Sequence, residues 1–169
     1  MKTKISALLL GLLLVPLAGL AAQDNSFSIL SFDIGYAPTY ILGDVAPGSD
    51  KYVNVATFSL NVKVTDPIIV GFGTYTLGGG VLTTFNLKYQ VVDKVRLGLS
   101  IGGMDGEAVS GVGLEFVPFS RKVQNTVATE FKLTAQYLFF PDTSGTGFGT
   151  SAGIDKGALF FGLAVGLGF

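Results

Sequence analysis

The chain has 169 residues, room for one domain, and contains no histidine and no cysteine, which excludes Ser–His and Cys–His nucleophilic pairs, histidine-based metal sites, a lipoprotein anchor and any disulfide framework. Its formal charge of −1, from 11 basic and 12 acidic residues, builds no basic surface for nucleic acid. Hydrophobic residues make up 49% and charged residues only 14%, yet after the first 22 residues no apolar run approaches the length of a membrane-spanning helix, so the apolar content is spread as alternation.

Residues 1–22 read as a cleaved signal peptide. Lys2 and Lys4 form a basic start, residues 5–17 an apolar stretch interrupted by Gly11 and Pro16, and Gly19, Ala21 and Ala22 a small-residue cleavage site. The apolar stretch is shorter than the roughly 20 residues of a spanning helix. Residues 23–169 then form a single β-domain, and loss of the two lysines takes its formal charge from −1 to −3.

Eight stretches of that domain alternate with a period of two, the strand period, and are separated by turn-forming residues. The first covers residues 27–36: Phe27 and Ile29, a phase slip at Leu30, then Phe32, Ile34 and Tyr36 against Ser31, Asp33 and Gly35. The slip predicts a bulge or a start of pairing near Ser31. Residues 37–51 hold two prolines and two glycines and read as a long loop. The second stretch puts Phe58, Leu60, Val62 and Val64 on one face and Thr57, Ser59, Asn61 and Lys63 on the other, before a turn at Thr65, Asp66 and Pro67. The third, residues 68–77, sets Val70 and Phe72 against Gly71 and Gly73, and three glycines end it.

The fourth stretch sets Val81, Thr83, Phe85, Leu87, Tyr89 and Val91 against Thr84, Asn86, Lys88 and Gln90, with a turn at Asp93 and Lys94. The fifth sets Val95, Leu97, Leu99 and Ile101 against Arg96, Gly98, Ser100 and Gly102, with a short loop at residues 104–107. The sixth sets Val112, Leu114 and Phe116 against Gly111, Gly113 and Glu115, and residues 118–122 read as its turn. The seventh sets Val127, Thr129, Phe131, Leu133 and Tyr137 against Ala128, Glu130, Lys132, Thr134 and Gln136, and a Gly/Ser/Thr-rich loop follows over residues 141–151. That loop faintly echoes a calcium loop at Asp142, Ser144, Thr146 and Gly147, but Gly153 stands where the closing Glu is needed, so no metal is expected.

The last stretch is the cleanest. Leu159, Phe161, Leu163, Val165, Leu167 and Phe169 are apolar at every second position, with Phe160, Gly162, Ala164, Gly166 and Gly168 between them, and the sequence stops on the aromatic. This ending resembles the terminal strand of bacterial outer-membrane β-barrels, which finish on Phe and are recognised there by the barrel-assembly machinery. The eight-strand pattern is similar to the small-barrel group that includes OmpX, the OmpA membrane domain and OmpW, and no motif selects among them. The resemblance implies an all-β, eight-stranded antiparallel up-and-down transmembrane barrel in the outer membrane, in contact with its lipids and monomeric, with Phe161, Leu163, Val165, Leu167 and Phe169 as its assembly signal.

An even strand count puts both termini on the periplasmic side, together with the connections at 65–67, 92–94 and 118–122. Two aromatic girdles are then expected, Phe27, Tyr89, Phe116 and Phe169 at the periplasmic strand ends and Tyr36, Tyr52, Tyr75 and Tyr137 at the outer ends.

The inward positions hold a charge cluster, Asp33, Lys63, Lys88, Arg96, Glu115, Glu130 and Lys132, for which burial in a narrow lumen requires cross-lumen ion pairs. Inward glycines such as Gly71, Gly98, Gly113 and Gly166 leave water-filled space and predict a narrow, discontinuous cavity. Small-barrel outer-membrane enzymes generally use histidine, so no enzyme and no cofactor are expected. Two functions remain: a structural or surface-exposed barrel with a polar, salt-bridged lumen, or a narrow passive channel for small, perhaps hydrophobic, solutes of the kind the OmpW resemblance implies.

Overall fold

The computed structural model describes residues 29–42, 50–77, 80–104, 107–124, 127–140 and 157–169. Residues 1–22, read as a signal peptide, Phe27, and the segments 43–49, 78–79, 105–106, 125–126 and 141–156 lie outside the described residues. Eight strands run β1 (Leu30–Leu42), β2 (Tyr52–Lys63), β3 (Ile68–Leu77), β4 (Gly80–Val92), β5 (Val95–Met104), β6 (Glu107–Gln124), β7 (Val127–Phe139) and β8 (Gly157–Gly168). Each pairs antiparallel with the next and β8 closes on β1, giving an up-and-down barrel, and no helix occurs among the described residues.

Register fixes the shape. The cross-strand ladder from Ser31 passes through Asn61, Gly71, Asn86, Ser100, Gly111, Leu138 and Ala158 and returns at Ile41, ten residues further along β1. A stagger of ten over eight strands tilts them by roughly 40°, given a rise of ~3.3 Å per residue and a strand spacing of ~4.8 Å. At the end holding the termini the seam is fastened by Phe169 N–H donating to Leu30 O at 2.8 Å and Leu30 N–H donating to Phe169 O at 3.3 Å.

The alternation sorts side chains by face. Ile34, Phe58, Phe85, Leu99, Phe161 and Val165 are exposed on the outside, whereas Asp33, Arg96, Glu115, Glu130 and Lys132 are buried inside. The contrast is as large as 58% exposure for Leu99 against 1% for Lys132. Such an exterior inverts the usual arrangement of a water-soluble barrel, in which the polar face is outside.

Three expectations are corrected. Residues 37–42 are not loop: β1 continues through Pro38, which pairs with Asn54 on β2. On the β8 side the register skips Ala37 and Pro38, so the missing proline N–H falls where pairing lapses. Residues 118–122 are not a turn: they belong to the 18-residue β6, whose register shifts by one between Phe116 and Phe119, and Pro118 sits in that bulge. Tyr75 belongs to no outer girdle, because its side chain turns inward and its hydroxyl donates to Gln136 Oε1 at 2.7 Å. Tyr36, Tyr52, Tyr89 and Phe169 are exposed on the outside.

Candidate functional site: the barrel lumen

Near the end holding the termini, six of the seven inward charges form one alternating chain. Lys88 Nζ lies 2.6 Å from Glu115 Oε2, and Arg96 Nη1 lies 2.7 Å from Glu115 Oε1. The guanidinium continues to Glu130, with Nη2 2.9 Å from Oε1 and Nη1 3.2 Å from Oε2. Lys132 Nζ then bridges Glu130 Oε2 at 3.1 Å and Asp33 Oδ1 at 2.7 Å. Asp33 Oδ2 accepts from Asn61 Nδ2 at 2.8 Å and from Ser59 Oγ at 3.1 Å. Three cations meet three carboxylates, so the buried network is neutral. Each carboxylate accepts from at least two donors, which offsets the cost of removing it from water.

Lys63 is not part of this chain. Its Nζ pairs with Asp66 Oδ1 at 2.7 Å in the β2–β3 turn, three residues on. That turn lies outside the barrel wall, and the lysine's hydrogen bond holds the wholly exposed Asp66 carboxyl below its ordinary range.

Three of the links cross a whole strand, among them Arg96 on β5 reaching Glu130 on β7 over β6. Lys132 on β7 reaches Asp33 on β1 over β8, where Gly166 pairs with both Asp33 and Glu130. A Cβ at Gly166 would stand 2.5 Å from Asp33 Oδ1 and 3.1 Å from Lys132 Nζ, so the bridge needs the bare backbone. Lys88 on β4 likewise reaches Glu115 on β6 over Gly98 of β5. Here the space is generous, since a Cβ at Gly98 would meet its nearest neighbour, Lys88 Cγ, at 3.8 Å.

Above the charges a neutral relay crosses the lumen. Tyr75 donates to Gln136, Gln136 Nε2 donates to Ser100 Oγ at 2.8 Å, and Ser100 Oγ donates to Asn86 Oδ1 at 2.6 Å. Between relay and charges lies a cavity of about 90 Å³, bordered by Lys88, Arg96, Ser100, Gly98, Gly113 and Gln136 among others. Its volume holds a few waters, at ~30 Å³ each in the liquid.

The other half of the lumen is apolar. Ile41, Val55, Leu82, Met104, Val109, Leu138, Phe140, Ala158 and Phe160 pack into one buried cluster, with Tyr75 against it. The Tyr75 and Phe160 rings meet edge-on at 5.4 Å, joining the apolar half to the polar relay. The sequence reading missed this cluster, although Leu82 and Leu138 share the inward phase of Asn86 and Gln136.

What the lumen can do chemically is limited. Among the described residues no group of three His, Cys, Asp or Glu side chains is placed to hold a metal ion. The three buried carboxylates are each held by cations. Fold and site together define a closed eight-stranded antiparallel barrel, apolar outside, with a lumen of buried ion pairs beneath an apolar core. No protein-family model and no curated protein matches the chain.

Proposed function

We propose that this chain is an integral outer-membrane barrel, exported by its signal peptide, with a structural, surface-exposed role and a lumen closed to solutes. The observation that carries this reading is the inversion of faces: bulky apolar side chains cover the outside while five charges are buried within and a sixth, Lys88, is half-buried. In water that exterior is a large adhesive surface; in a bilayer it is the solvated one. On β8, Phe161, Leu163, Val165, Leu167 and Phe169 all face outward and exposed, which suits a strand edge read by the assembly machinery before β1 closes on it. Outer-membrane lipids and that machinery are the partners of this reading; it calls for no cofactor, nucleic acid, catalysis or second subunit. Heat-modifiable migration tests it: protein extracted from the outer-membrane fraction should change its gel mobility on boiling. A protein that stays in the aqueous fraction and shows no shift would contradict it.

A passive channel is the second reading, and the polar cavity favours it. Against it stand Val55, Leu82, Leu138 and Ala158, each fully buried in the apolar half.

A further inference from the structure

β6 runs eight residues past Phe116, its last residue paired with β5, and carries the β6–β7 hairpin beyond the barrel rim at the end holding the termini. Val117 N–H donates to Lys94 O of the neighbouring turn at 2.8 Å. Beyond it Phe119, Arg121 and Lys122 are all exposed, Phe119 at 72%. Phe119 and Arg121, two residues apart on a strand, share a face, and Phe131 lies across from Phe119.

The charges at this end do not cancel on the hairpin. Lys63 is matched by Asp66, and Asp93 shares the β4–β5 turn with Lys94. The only carboxylate of residues 117–131, Glu130, is buried with Arg96 and Lys132. Arg121 and Lys122 are therefore surplus positive charge beside an exposed aromatic. The hairpin therefore presents a local excess of positive charge to a layer of anions.

We infer that the protruding β6–β7 hairpin is a docking surface for the phosphate headgroups of anionic phospholipids, with Phe119 in the headgroup layer and Arg121 and Lys122 on the phosphates. The inference rests on the membrane reading and adds to it a lipid class and a side of the barrel. Aromatic rings settle at the headgroup level, and cations near an anionic surface are attracted within a Debye length.

Electron spin resonance of the refolded barrel in phosphatidylcholine vesicles tests it, with trace spin-labelled phosphatidylglycerol or phosphatidylcholine as the probe. The wild type should hold the labelled phosphatidylglycerol about fivefold more strongly at low salt, the equivalent of one engaged cation. The preference should collapse in 1 M salt. In the double variant Arg121→Gln, Lys122→Gln it should fall to parity, with the immobilised phosphatidylcholine fraction unchanged. Immobilised phosphatidylcholine without any preference in the wild type, or a preference that survives the double variant, overturns the inference while leaving the membrane reading in place. No immobilised lipid of either kind, with no heat-dependent gel shift, overturns the membrane reading and the inference with it.

Discussion

In the half of the lumen nearest the termini, Asp33, Arg96, Glu115, Glu130 and Lys132 are buried side by side, while Ile41, Val55, Leu82, Leu138 and Phe160 fill the other half. Both halves fill the same barrel, and they differ in how they answer a change. In the ionic half each group depends on specific partners, so removing one leaves an opposite charge stranded. In the apolar half the contacts are non-directional, and the cost of a change follows the volume lost. One half is close to all-or-none, and the other is graded.

The largest effect should come from Glu130→Gln, which leaves Arg96 and Lys132 sharing the remaining carboxylates. A loss of about 3–5 kcal/mol is expected, read as a lowered urea midpoint of vesicle-refolded protein. Adding Lys132→Met restores charge balance, so the double variant should be less destabilised than the sum of the two singles. Strict additivity would mean that the chain of ion pairs is not a unit.

Next comes Leu138→Ala in the apolar half, expected to cost about 2–4 kcal/mol in the same titration, whereas Leu138→Met should stay within about 1.5 kcal/mol. If Met were as damaging as Ala, this half would be as exacting as the ionic one and the comparison would break.

Glycines sharpen the comparison within the ionic half. Gly166→Ala places a methyl against Asp33 and Lys132 and should cost about 1–3 kcal/mol, while Gly98→Ala, beneath Lys88, should stay within about 0.5 kcal/mol. The same titration separates them, and equal costs would show that Lys132 does not cross β8 to Asp33.

The smallest effect belongs to the turn pair. Asp66 is depressed by Lys63, so its contribution is present above the unfolded value of 3.8 and is lost as pH falls through the lower folded value. Asp66→Asn should therefore change stability slightly at neutral pH and not at all in strong acid, with the lumen unaffected. A pH series of urea midpoints checks this.

Alternation alone was enough to recover eight strands, because a period of two with one apolar face admits few other structures. It also set the inward phase of residues such as Arg96, Glu115 and Lys132. Proline misled it twice. Pro38 and Pro118 read as loop and turn, yet each sits in a strand where an N–H is not needed, one at a lapse in β1–β8 pairing and one in a bulge. The pairing of Lys132 with Asp33 was not legible, since it joins residues 99 apart across a closed seam and depends on the absent side chain of Gly166. The apolar half was legible in principle: carrying the phase of Asn86 back to Leu82, or of Gln136 forward to Leu138, places both inside. Tyr75 was read by residue type instead of by phase, which put it in the wrong layer.

In the proposed function the two unlike halves close the lumen at two levels. The most direct test is steady conductance across a planar bilayer holding wild-type barrel, with insertion verified by the heat-dependent gel shift. No steady channels above the lipid background are expected. Sustained, uniform conductance steps from the unmodified protein would contradict it.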